Sequence, residues 1–64
     1  MGRTIVATKL RELRGSRKRD EVSAAVGVSS SSWGMYEAGL RIPRDETKVR
    51  ISEYFGVSVQ DIFY

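Results

Sequence analysis

The apolar residues of this chain recur every three or four positions, which is the spacing of one face of an α-helix. In the first segment, Val6, Leu10 and Leu13 follow this spacing, and Thr4 precedes them as a candidate N-cap. Glycines and capping residues divide the pattern into short segments. We therefore expect an all-α fold, a compact bundle of five short helices over residues 4–14, 19–26, 30–38, 45–55 and 58–63.

Residues 20–39 predict two helices joined by a tight turn. Val22 and Val26 form the apolar stripe of the first helix. Gly27 then stands where a helix end commonly needs a left-handed residue, and Val28 is a single apolar plug. Ser29 is a good N-cap for the helix that follows. This arrangement is the helix-turn-helix, which holds its second helix in the major groove of DNA.

The second of these helices has two different faces. Trp33, Tyr36 and Glu37 are spaced i, i+3 and i+4, so we expect them on one side. The residues expected on the other side are Ser30, Ser31, Gly34 and Met35. Three serines and a glycine are poor helix formers and cost about 2 kcal/mol relative to alanine. Packing of Trp33 and Tyr36 must therefore hold this helix, and a core role for Trp33 is favoured over stacking on bases.

The rest of the chain predicts a loop and two more helices. In the loop 39–44, Pro43 favours the start of a helix after it, and we expect Ile42 to be buried. Gly39 and Gly56 stand at helix ends. The expected inward positions of helix 45–55 include Val49, Ile51, Ser52, Tyr54 and Phe55, and the expected outward positions are Lys48, Arg50 and Glu53. Val59, Ile62 and Phe63 give the last helix its inward face.

The charge of the chain is uneven. The net charge is +3 over 64 residues, but the first 19 residues contain seven lysines and arginines against one acid, Glu12. A basic N-terminal third suits a polyanionic partner, although a solvated helix face is the alternative. The start of the helix-turn-helix directly after this basic segment favours the nucleic-acid interpretation.

The composition excludes several classes of protein. The chain has no cysteine and no histidine, so a disulfide scaffold, a zinc finger and a histidine-based active site are excluded. No pair of carboxylates stands at a useful spacing, and we expect neither an enzyme nor a cofactor or metal site. With no apolar run of membrane-spanning length and no signal-peptide core, we expect a cytoplasmic protein with a single domain over residues 1–64.

Four sequence segments, in order, resemble the lambda-repressor-like family of helix-turn-helix proteins, also called Cro/CI or XRE-type. They are KLRELR, EVSAAVGVS, MYEAGLRIPRDE and ISEYFGVSVQDIF, and together they cover nearly the whole chain. The resemblance implies a pair between Arg14 and Glu37 that ties the first helix to the end of the third. The chain departs from the family at residues 17–19, Arg-Lys-Arg, where the family has a capping hydroxyl and a glutamine. Lys18 cannot cap, and Arg19 is the expected phosphate contact.

The resemblance also implies the function and its residues. The family places helix 30–38 in the major groove of double-stranded DNA, as a repressor that binds an operator, commonly an inverted repeat, as a homodimer. The expected DNA-binding residues are Arg19, Ser29, Ser30, Ser31, Gly34, Met35, Arg41 and Arg44. Serine discriminates weakly between bases, and Met35 can offer only apolar contact, for instance to a thymine methyl. We therefore expect a larger share of the sequence specificity to come from DNA shape and phosphate contacts.

Two questions stay open at this point. One alternative is a protein-interaction module, antirepressor or antitoxin-like, that keeps the fold without specific DNA binding. This alternative is supported by the outward Ser/Gly/Met face of helix 30–38, whose side chains are expected to discriminate weakly between bases. The other open question is how a dimer would form. The C-terminal aromatic residues Tyr54, Phe55, Phe63 and Tyr64 offer surface for a two-fold contact, although core packing explains most of them.

Overall fold

The computed structural model describes residues 3–64, and in this range it contains five α-helices and no strand. The helices are α1 (Arg3–Arg14), α2 (Arg19–Val26), α3 (Ser30–Glu37), α4 (Asp45–Phe55) and α5 (Val59–Phe63). The prediction of an all-α fold with five helices is therefore confirmed. The sequence places residues 1–3 ahead of the expected N-cap Thr4, which predicts a frayed arm there. Met1 and Gly2 lie outside the described residues, whereas Arg3 already belongs to α1.

Three helix ends differ from the predicted ones by one residue. Since α1 begins at Arg3, the prediction that Thr4 is its N-cap is wrong, and the Thr4 carbonyl instead accepts a hydrogen bond from Thr8 Oγ1 at 2.9 Å. α3 ends at Glu37, one residue early. α5 begins one residue late, because the Ser58 side chain acts as its N-cap and accepts from the Asp61 amide.

One buried cluster joins all five helices. α1 packs on α3 and α5, α2 packs on α3 and α4, and α4 packs on α5. The members of the cluster are Val6, Leu10, Val22, Val26, Trp33, Tyr36, Ile51, Ile62 and Phe63. Fully burying one such side chain contributes roughly 1.5–3 kcal/mol, and Trp33, the largest, is completely buried. The residues of α3 have low helix propensity, so packing against α1 and α2 stabilises this helix.

The predicted inward face of α4 is partly wrong. Val49 and Tyr54 are exposed, whereas Thr47 and Ser52 are buried beside Ile51. The hydroxyls can be buried because both are bonded: Ser52 donates to the Val49 carbonyl at 2.7 Å, and Thr47 accepts from an arginine of the same helix. Ser52 therefore lies inward as expected, and the bonded hydroxyl of Thr47 takes a core position that hydrophobicity alone assigns to Val49.

Two further expectations near α4 are wrong. Ile42 was expected inside, but it is 37% exposed and its neighbour Pro43 is buried instead. The residue before a proline is extended, and side chains of consecutive extended residues point in opposite directions, so burying Pro43 turns Ile42 outward. Lys48, expected in solvent, is half-buried and donates to Tyr64 Oη at 3.0 Å.

Candidate nucleic-acid interface

The turn between α2 and α3 has the geometry that the sequence predicts. Gly27 adopts φ +77°, where an L side chain would be strained, and so ends α2. Its amide donates to the Ala24 carbonyl, and the Val28 amide donates to the Ser23 carbonyl at 2.9 Å. Val28 is half-buried against the core. The turn therefore fixes α3 across α2 through a short connection in which the amides of Gly27 and Val28 are both hydrogen-bonded.

α3 buries one face and exposes the other, as predicted. Trp33, Tyr36 and Glu37 are buried, and the Trp33 ring meets the Tyr36 ring edge-on with centroids 6.1 Å apart. On the opposite face, Ser31 and Met35 are exposed. Gly34 lies between them, and a Cβ added there would meet nothing within 4 Å. The outward face of α3 is thus open to solvent at Gly34.

The serines at the start of α3 have different roles. Ser29 is the N-cap: its hydroxyl accepts from the Ser32 amide at 3.1 Å and donates to Ser32 Oγ. Ser30 donates its hydroxyl proton to the Asp20 carboxylate on α2. Ser31 makes no side-chain hydrogen bond within the described residues. Two of the three predicted serine contacts to DNA are therefore already engaged inside the protein: the cap at Ser29 was predicted, whereas the bond from Ser30 to Asp20 was not.

Glu37, at the C-terminal end of α3, accepts hydrogen bonds from several basic side chains. Arg14 donates to its carboxylate twice, from Nε at 2.5 Å and from Nη2 at 3.1 Å. Arg19 donates from Nε at 3.3 Å, and the buried Trp33 indole N–H donates at 2.5 Å. Arg11 donates to the Glu37 backbone carbonyl. The predicted Arg14–Glu37 pair is present, and it is one part of a larger network.

This network changes the proton affinity of its members. Burial by itself raises the pKa of Glu37, but the hydrogen bonds from Arg14 and Trp33 and the charges of Arg14 and Arg19 outweigh burial, so the net pKa is lowered. The hydrogen bond to Glu37 raises the pKa of Arg14. Glu37 is therefore a buried anion that keeps arginines of α1 and α2 at the end of α3.

A second group of arginines surrounds the other end of α3. A cleft of about 280 Å³ lies between the α2–α3 turn, the loop 39–44 and the start of α4. Its lining includes Ser29, Arg41, Arg44 and Arg50. Arg50 donates from Nε to the Val26 carbonyl at 2.9 Å and from Nη2 to Thr47 Oγ1 at 3.4 Å. Its guanidinium is therefore fixed against the end of α2.

The predicted site residues fall into three places. Ser31, Gly34 and Met35 lie on the outward face of α3, while Ser29, Arg41 and Arg44 line the cleft. Ser30 was also expected on the outward face, but, although exposed, its hydroxyl is turned toward α2, where it bonds to Asp20. Arg19 lies at the opposite end of α3, and its side chain is 56% exposed although its Nε bonds to Glu37. Sequence reasoning missed Asp20 and Arg50 as members of this surface. No helical spacing links Arg50 to α3, because the cleft joins elements distant in sequence.

The amino-acid sequence of the chain is similar to that of a known protein family. The helix-turn-helix domain family matches residues 5–62, which is nearly the whole chain. A curated relative is the cryptic phage CTXphi transcriptional repressor RstR of Vibrio cholerae, which is 29% identical over 58 residues. That match covers 88% of this chain and 52% of the relative, so the chain spans about half the relative's length. No solved structure matches the chain significantly.

Among the helices of residues 3–64, none has the length and apolar character needed to span a bilayer. The family match includes the α2–turn–α3 unit together with the helices that bury its inner face. The chain therefore belongs to the helix-turn-helix domain family.

Proposed function

We propose that this protein is a sequence-specific regulator that binds double-stranded DNA, with α3 in the major groove, and that it acts as a repressor. The observation that carries this proposal is the pair of arginine groups at the two ends of the exposed face of α3. Arg19 stands at the C-terminal end, and Arg41, Arg44 and Arg50 surround the cleft at the N-terminal end.

The spacing of the two groups suits the DNA backbone. An eight-residue helix is roughly 12 Å long, and the major groove of B-DNA is roughly 12 Å wide. Arginines at both ends of α3 can therefore meet phosphates on both sides of the groove while the face between them meets base edges. Each neutralised phosphate contributes a slope of about −0.9 to the dependence of log affinity on log salt.

The repressor role and the operator symmetry have separate support. The relative in Vibrio cholerae is named a phage transcriptional repressor, and helix-turn-helix dimers bind half-sites about one helical turn apart. We propose a steric mechanism here, in which a homodimer on an inverted repeat excludes polymerase. For the dimer contact, the exposed Tyr64 and Tyr54 are candidates, whereas Phe63 is buried in the core.

Selection of bound duplexes from a random DNA pool at near-physiological salt tests this proposal. We expect an enriched inverted repeat, and affinity for it that falls steeply with salt. An enriched single half-site would contradict the homodimer but not sequence-specific DNA binding. Retention without enrichment would overturn sequence specificity, and an affinity insensitive to salt would overturn the phosphate contacts.

One observation favours a second candidate, a protein-interaction module of the antirepressor or antitoxin-like kind. The hydroxyls of Ser29 and Ser30 are engaged within the protein, which reduces the donors that α3 offers to bases. In that case neither Arg19→Ala nor Arg44→Ala would change DNA affinity. A clear loss of affinity in either variant rejects this second candidate.

A further inference from the structure

A carboxylate stands beside the first residue of the proposed recognition helix. Asp20, in the first turn of α2, and Ser30, the first residue of α3, are both exposed, and the Ser30 hydroxyl donates to Asp20 Oδ1. The buried Ser23 supports them: its hydroxyl donates to the Asp20 carbonyl at 3.1 Å and lies 3.4 Å from Ser30 Oγ. The pair is therefore fixed between the two helices of the motif.

The direction of the hydrogen bond decides whether this pair can donate to another molecule or only accept from it. An ionised carboxylate can only accept hydrogen bonds, and a serine hydroxyl has a single proton to donate. Because Ser30 gives that proton to Asp20, neither side chain has a donor left for another molecule. The pair presents hydrogen-bond acceptors alone to whatever lies against the start of α3.

We propose that Asp20 and Ser30 together select a base with an exocyclic amino group, adenine or cytosine, at one position of the operator. This inference rests on the proposed function, because it requires α3 to lie in the major groove. Asp20 accepts the hydrogen bond from the base, and Ser30 is a positioning residue that orients the carboxylate.

The major groove supplies the matching chemistry. Adenine N6 and cytosine N4 are donors, whereas guanine O6 and N7 and thymine O4 are acceptors. Against guanine or thymine the carboxylate would face another acceptor after losing its water. A carboxylate is also repelled by the phosphates, so it favours binding only where an amino group meets it. Asp20 thereby selects against wrong sequences.

Two matched variants isolate this effect. Asp20→Asn replaces one acceptor oxygen by a donor amide of the same shape. Glu21→Gln is its control, because Glu21 is exposed in the same turn and the substitution changes the charge and the helix-terminal electrostatics equally. Thermal unfolding of both variants checks that the fold is retained. Duplex selection and competition binding are then carried out with the wild type and both variants.

The wild type is expected to select adenine or cytosine at one position in each half-site, and to lose about tenfold or more in affinity when guanine or thymine replaces it. Removing the amino group alone, with purine in place of adenine or 2-pyrimidinone in place of cytosine, is expected to weaken wild-type binding as well. Asp20→Asn should tolerate guanine or thymine at that position, whereas Glu21→Gln should keep the wild-type preference.

The outcomes separate this inference from the proposed function. If the wild type enriches an operator but Asp20→Asn keeps the same preference at every position, the amino-base inference is wrong and operator binding stands. The same holds if Glu21→Gln relaxes specificity as much as Asp20→Asn does. If the wild type enriches no sequence, the proposed function fails and this inference fails with it.

Discussion

Arg14 and Glu37 are joined by two parallel hydrogen bonds although 23 residues separate them in the sequence. The guanidinium belongs to the last residue of α1, and the carboxylate belongs to the last residue of α3. Two bonds in a plane fix orientation as well as distance. The C-terminal end of the proposed recognition helix therefore has its direction set by α1, outside the helix-turn-helix itself.

Glu37→Gln is expected to destabilise the fold by about 3 kcal/mol, because it removes the anion from a buried network and leaves the charge of Arg14 uncompensated. The midpoint of urea unfolding at neutral pH measures this loss. Glu12→Gln is the control, since Glu12 is an exposed acid on α1 and its substitution should change the midpoint little. Equal midpoints for the two variants would contradict the importance of the network.

The pH dependence of stability provides a separate prediction. The pKa of Glu37 is lowered by folding, so its contribution is complete above the ordinary glutamate pKa of about 4.3 and is lost as the pH falls through the lower folded-state pKa. We expect urea midpoints of the wild type to fall across this acid range. Glu37→Gln should flatten that fall, and an unchanged acid dependence in this variant would assign it to other carboxylates.

Ser29→Ala and Ser31→Ala are expected to separate capping from recognition. Ser29→Ala removes the N-cap of α3 and should cost about 1 kcal/mol of stability. Ser31→Ala should leave stability unchanged or raise it by a few tenths of a kcal/mol, since alanine is the better helix former and the Ser31 hydroxyl is exposed and makes no bond within the described residues. Thermal unfolding of both variants gives the comparison. A larger loss for Ser31→Ala than for Ser29→Ala would contradict the assigned roles.

Gly34→Ala is expected to move stability and DNA affinity in opposite directions. Alanine is favoured over glycine inside a helix by about 1 kcal/mol, and the added methyl would meet nothing in the protein within 4 Å. The melting temperature should therefore rise. Binding to the selected operator should weaken, because the methyl occupies space between α3 and the groove floor. A more stable variant with unchanged affinity would show that this face does not approach DNA closely.

Arg44→Ala and Arg19→Ala are each expected to weaken binding to all DNA sequences by a similar factor and to reduce the salt slope by about 1. The reason is the loss of one phosphate contact at either end of α3. Lys9→Ala is the control: it removes the same charge from a groove between α1 and α5, where Lys9 donates to the Asp61 carbonyl. Titrations at several salt concentrations measure the slopes, and equal slopes for Lys9→Ala and the arginine variants would contradict local contacts.

The sequence predicted those parts of the fold that depend on a repeated apolar spacing. Val6 and Leu10 in α1 and Val22 and Val26 in α2 follow the helical period and are buried. The spacing failed where the buried side chain was polar, as at Thr47, which takes a core position that Val49 does not. The difference arises because burial of a hydroxyl depends on a hydrogen-bond partner, and that partner is fixed only by the folded chain.

The candidate site was less predictable than the fold. Arg41 and Arg44 were expected in the site because of the family resemblance, but Arg50 joins them only because α4 crosses the end of α2. The bond between Ser30 and Asp20 likewise depends on the angle between two helices. Contacts between helices decide which hydroxyls are still able to meet DNA, and residue spacing within one helix does not contain that information. The roles of the predicted DNA-binding residues stay predictions.

Trp33, the single tryptophan of the chain, is completely buried, and its indole N–H is bonded to Glu37. An indole shielded from water emits at shorter wavelengths than a hydrated one, so the tryptophan fluorescence of the native protein, excited selectively over its three tyrosines, comes from one site in its core. Because this ring lies on the inner side of the helix proposed to meet DNA, its emission reports directly whether that helix keeps its packing during binding. The protein thus contains its own optical probe, which requires no label.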